Sequence, residues 1–161
     1  MARLAARAFL AGLRLSAALV QTPGAREPAR RLLGAIGALL ARRRGVRAPI
    51  DAGAADPRAM AEAWQRAFPS RKQVPIVAVD AASATAYAEI RTPCPLAGSG
   101  DVEACWRMME YDRAFAARAG ARFVVLASQA TPGVTAGRVA LRPLALPADD
   151  LVPAHALAKK R

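Results

Sequence analysis

Hydrophobic positions along this chain change their period from helical to alternating partway through. Near the start, Leu4, Phe9, Leu10, Leu13 and Leu15 recur at roughly helical spacing, Thr22-Pro23-Gly24 breaks the pattern, and residues 27–44 resume it until Gly45. This predicts a helical hairpin. Arg42, Arg43, Arg44 and Arg47 gather at its far end, where cations are favourable against the helix dipole. A loop rich in Pro, Gly, Asp and Ala over 48–56 follows, and then a short helix over 57–68 that carries Pro57 in its first turn. From there the period falls towards two. Residues 74–79 and 85–91 read as strands joined by Asp80-Ala81-Ala82-Ser83, a helix covers 101–119 before Gly120, and 123–129 and 134–142 form a second hairpin around Thr131-Pro132-Gly133. The predicted fold is α+β: an N-terminal helical hairpin, then a mostly antiparallel four-stranded sheet in the order ββαββ packed on a central helix. Three segments result: a basic helical segment over 1–50, the α+β domain over 57–145, and a proline-bearing flexible tail over 146–161.

Composition narrows the class. A chain of 161 residues buries a real core, and 54% hydrophobic with only 5% aromatic residues makes that core one of small pieces. The net charge of +12 is uneven: residues 1–50 hold ten arginines against Glu27, a balance of +9, leaving +3 for the rest. Only Lys72, Lys159 and Lys160 of the 24 basic residues are lysine, so part of the excess reflects a preference for arginine. Trp64, Trp106 and the two tyrosines are not interleaved with basic residues, which argues against nucleic acid as partner. Contact with a membrane surface through the N-terminal arginines stays open. Residues 1–21 also carry the marks of an organellar transit peptide, while Arg14 interrupts the apolar run a secretory signal needs. The apolar run at 32–41 is too short to span a bilayer. Two cysteines eleven residues apart form neither a disulfide framework nor a zinc-finger pattern, so a reducing, cytoplasmic setting is expected. His155, the one histidine, falls in the tail and reads as a mobile surface residue.

Candidate chemistry concentrates in Cys94-Pro95-Leu96-Ala97-Gly98-Ser99-Gly100-Asp101 and the helix behind it. Projected at about 100° per residue, that helix places Asp112 inside its apolar arc, on one line with Asp101 and Cys105. A carboxylate there needs a reason. Either Asp112 pairs with an arginine of the sheet, Arg91 or Arg138, or it serves as an acid or base with a raised pKa, or holds a metal. Cys94 and Cys105 read as small buried hydrophobes or as a nucleophile or ligand. The Gly-Ser-Gly turn suggests free N–H groups for an anion, so Ser99, Gly100 and Asp101, with Arg91 or Arg138, are candidates for holding a substrate carboxylate. The residues name no cofactor and leave a metal undecided.

At these residues the chain resembles the bacterial L-2-amino-thiazoline-4-carboxylate hydrolase family: Cys94-Pro95, a helix with Cys105 and Asp112 seven residues apart, then a hairpin whose last strand follows a glycine. The resemblance covers residues 57–145 and implies a small α+β hydrolase that opens a thiazoline ring by adding water. It places Cys94, Cys105 and Asp112 in catalysis and implies a small carboxylate-bearing substrate. The family's last strand typically has a third cysteine, where Gly137 stands here. That departure favours the alternative of a small-ligand-binding or sensory domain without turnover, similar to vinyl-reductase-type ligand-binding domains.

Overall fold

The computed structural model of the chain describes residues 2–48 and 56–159, with side chains in the first helix from Arg7 onward. The predicted linker at 48–56 lies almost wholly outside the described residues, as do the side chain of Leu4 and the chain end at Lys160 and Arg161.

The helical hairpin forms as α1 (Ala2–Gln21) and α2 (Arg26–Arg43). Gly45, at φ +68, ends α2: its N–H bonds to Arg42 O, the next N–H, from Val46, reaches Ala41 O, and Val46 is buried. This is the Schellman ending, which needs a left-handed residue that only glycine adopts without strain. Helix α3 (Pro57–Gln65) is capped by Asp56, whose carboxylate accepts from Arg58 N–H.

Strands β1 (Ile76–Asp80), β2 (Thr85–Ile90), β3 (Ala121–Ala127) and β4 (Gly137–Pro143) make one antiparallel sheet in the order β1-β2-β4-β3. β4 therefore lies between β2 and β3 and pairs with both. The latter two run parallel on either side of it, linked by helices, as in a split βαβ unit. Register pairs Ile90 with Gly137 and Ala127 with Arg138, so the ends of β2 and β3 meet the start of β4 at one edge of the sheet.

The single central helix predicted over 101–119 is two segments, α4 (Val102–Met108) and α5 (Glu110–Arg118), meeting at Met109. The Arg113 guanidinium takes the carbonyl of Trp106 at 2.6 Å, and a side chain drawing on a helix carbonyl bends the ladder locally. Bonds from Met109 N–H to Cys105 O and from Arg113 N–H to Met109 O cross the joint. Helical phase is thus kept, and Cys105 and Asp112 both end up buried.

Helix α2 lies across α5 at backbone contact: a Cβ on Gly37 would sit 2.3 Å from the carbonyl oxygen of Tyr111. Arg30 of α2 reaches Glu110 at 2.7 Å, Arg113 holds the same carboxylate at 2.8 Å, and both guanidinium groups lie over Trp106, 5.6 and 4.9 Å from its ring centre.

The segment expected to be a flexible tail is packed. Arg142, buried, donates to both carboxylate oxygens of Asp150 (2.5 and 2.8 Å), to Pro147 O and to the Thr85 hydroxyl, both at 2.8 Å. Leu151 is buried, α6 (Ala154–Ala158) lies against α4, and His155 stacks on Trp106 with ring centres 5.1 Å apart rather than standing free. Strand alternation sends Arg142 away from the helices, and a guanidinium shut in there needs the acceptors that residues 147–150 bring.

Two expectations follow. Gly37→Ala forces α2 off α5 and lowers stability by about 2 kcal/mol or more, read from the urea midpoint. Asp150→Ala releases residues 144–153, so limited proteolysis cleaves there faster while amide exchange in the sheet is unchanged.

Candidate functional site

At the sheet edge where β2 and β3 end and β4 begins, a cavity of about 60 Å³ is lined by the 92–95 loop, α4, α5 and the strand ends, with Leu13 and Phe68 at its margin. Cys94, Cys105, Asp112 and Gly137 all line it. Of the inward line that the helix projection gives, Cys105 and Asp112 face this space, joined by Cys94 of the preceding loop, whereas Asp101 does not. It has room for a few water molecules or one small ligand group.

Asp112 is held by α3. The indole N–H of Trp64, a fully buried ring packed on Phe68 and Phe123, donates to Asp112 Oδ1 at 2.9 Å. A buried tryptophan needs an acceptor, and this carboxylate is it. Burial lifts the pKa of Asp112 to about 6, against the pull of the Trp64 bond and of Arg113. No arginine of the sheet pairs with it. Arg91 turns outward to Glu89 at 2.9 Å and Arg138 is exposed, because strand alternation carries both away from the helix-covered face.

Burial also raises both thiols. Cys105 is pushed up to about 11, with the Ser128 hydroxyl beside it only partly offsetting the desolvation. Cys94 is raised too, although Leu96 N–H points at its sulfur from 3.4 Å. Both thiols are therefore uncharged at neutral pH.

The glycine-rich turn does not supply free donors. Gly98 N–H bonds to Gln129 O and Gly100 N–H to Ala130 O, at 2.9 and 2.8 Å, while Ser99 N–H bonds to Leu96 O. The Ser99 hydroxyl accepts from Asp101 N–H, and Asp101 caps α4 by accepting from Ala104 N–H. Ser99, Gly100, Asp101, Arg91 and Arg138 all lie off the cavity wall, and among the described residues no lysine, arginine or histidine lines it. The expected carboxylate seat is absent from this cavity because residues 129–130 occupy the donors that would form it.

Gln129 was not anticipated. Its amide donates to Ile90 O (2.8 Å) and Thr92 O (3.1 Å) and accepts from Cys94 N–H (3.3 Å), tying the cysteine loop to the end of β2. The signal that points to Trp64 is its one polar atom, which must be satisfied if the ring is buried; nothing local marks Gln129. Among the described residues no group of three or more His, Cys, Asp or Glu is placed to hold a metal ion, and no helix is long and apolar enough to cross a membrane.

The raised pKa has a sign for stability. Below the unfolded value of 3.8 Asp112 is neutral in both states, between 3.8 and about 6 the folded state holds its proton more tightly, and above that the buried charge is a constant burden. Asp112→Asn keeps the acceptor for Trp64 and removes the charge. It should therefore be about 3 kcal/mol more stable than wild type near neutral pH and equal to it in acid, measured by urea unfolding across pH.

Compared with family models, with curated proteins and with solved structures, the chain matches none, so the thiazoline-hydrolase resemblance rests on its own short motifs.

Proposed function

We propose that the chain is a hydrolase that opens a cyclic C–N/C–S bond of the thiazoline type, with Asp112 as its acid and base. The observation that carries this reading is a buried carboxylate, held by one neutral donor from another residue, facing both cysteines in an apolar cavity. A group kept at a loss of stability is the ordinary mark of a working site. A pKa near 6 leaves Asp112 ionised at neutral pH and close enough to neutrality to exchange a proton.

Between water and a thiolate as the attacking group, the raised thiols favour water. Asp112 takes a proton from water as its oxygen bonds to the carbon between nitrogen and sulfur. The ring bond from that carbon to its leaving atom then breaks, and Asp112 returns the proton to that atom. Cys94 and Cys105 act as neutral, polarisable walls, and the substrate's acid group stays outside the cation-free cavity. Free thiols in the site suit a reducing, cytoplasmic setting.

A second reading, a small-ligand-binding domain without turnover, is favoured by Gly137 on the cavity wall where the resembled family has a third sulfur.

Incubation with L-2-amino-thiazoline-4-carboxylate and detection of the released thiol separates the two. Turnover is expected to rise with pH through about 6 and then level, as the Asp112 carboxylate forms beside Cys94, Cys105, Tyr111 and Arg113. Asp112→Asn should fall about 10²-fold or more while remaining folded, whereas Cys105→Ala stays within about tenfold. Full activity in Asp112→Asn would sink the assignment, and ligand binding without ring opening would establish the second reading.

A further inference from the structure

A second cavity, of about 260 Å³, lies between α1, α2 and α5. Its walls are mostly apolar, Phe9, Leu33, Ile36 and Leu40 with Gly12, beside Ser16 and Tyr111, and it shares Asp112 and its neighbours Met108 and Met109 with the first. The two spaces therefore abut at Asp112. On one side stands the small cavity, apolar apart from Asp112, the thiols and the Thr92 hydroxyl on its wall. On the other runs an apolar crevice. Thr92 adds an independent sign of a missing ligand: its hydroxyl is buried, lines the first cavity and has no hydrogen-bond partner. Buried polar atoms are seldom left so.

Charge decides the chemistry of the ligand's head. Among the described residues Asp112 is the one charged side chain on either wall, and Arg113, whose charge is felt at Asp112, lines neither. A ligand carboxylate or phosphate would meet only repulsion and lost hydration there, whereas an ammonium or amidinium group would find its counter-ion and an acceptor in the Thr92 hydroxyl.

We propose that the two cavities form one site for a cationic amphiphile, its amine-type head against Asp112 and Thr92 and its hydrocarbon body in the crevice between α1 and α2. The inference rests on reading the Asp112 cavity as the ligand site, and not on hydrolysis there. It also runs against the charge of the whole chain, which at +12 draws anions. A preference for a cation must therefore come from the site itself.

Gly12 supplies a clean perturbation. A Cβ at that position meets nothing within 4 Å, so Gly12→Leu starts from open space, extends into the crevice and improves the helix propensity of α1. Calorimetric titration of the full chain at about pH 8, where a carboxylate of pKa near 6 is ionised, would compare octylamine, octanoate and butylamine. Octylamine is expected to bind about tenfold or more tighter than octanoate, and tighter than butylamine by a similar factor. Gly12→Leu should weaken octylamine about tenfold and leave butylamine unchanged, and Asp112→Asn should erase the preference for amine over carboxylate. Octanoate binding as tightly as octylamine, or an unaltered octyl-to-butyl ratio in Gly12→Leu, would overturn the proposal. Binding is read without turnover, so inactivity towards the thiazoline acid would leave the amphiphile site standing, and thiazoline hydrolysis with equal octanoate binding would remove this inference alone.

Discussion

The hydrogen bond from the Trp64 indole to Asp112 joins two problems that neither residue can solve alone. A fully buried tryptophan must satisfy its N–H, and a fully buried carboxylate must find a donor. In meeting, they fix α3 against α5 over the sheet, and they aim the carboxylate at the strand ends where the cysteines lie. The core is otherwise built largely from alanine, valine and methionine, whose contacts are small and non-directional. Orientation within it comes from this polar pair and from the guanidinium clusters at its margins.

Those clusters divide the labour. Arg30, Glu110 and Arg113 set the depth of α2 on α5, helped by the close backbone approach at Gly37. Arg113 also bends the helix at Met109 by taking the carbonyl of Trp106. Arg142 draws the last segment across the outer face of the sheet. None of these ions reaches the cavity, which leaves Asp112 in a medium of low polarity and accounts for the direction of its pKa.

Much of this was legible in the chain. Gly45 and Gly120 mark real helix ends because a left-handed residue is a local requirement. Helical phase alone put Cys105 and Asp112 on one inward line, because it depends only on short-range geometry. What was not legible depends on partners far along the chain. The amide donors of the glycine-rich turn look free until residues 129–130, some thirty positions later, come to occupy them. Gln129 stitches three backbone groups of another loop, and no spacing announces it. Proline in residues 143–153 suggested fraying, yet Arg142 gives that segment an acceptor-hungry partner that can be seen only once the strand's outer face is known.

The strand order carries a consequence for how the molecule comes into being. β4 is the last of the four described strands to be synthesised and occupies an inner place in the sheet, with β2 on one side and β3 on the other. While the chain emerges in order, β2 and β3 have no common neighbour and expose unpaired edges. Their union waits for residues 137–143, whose pairings with β2 span 47 to 55 positions of sequence. The wall that Gly137 contributes is set by that same late step, so a nascent chain lacking its final segment would hold Cys94, Cys105 and Asp112 without a chamber to share.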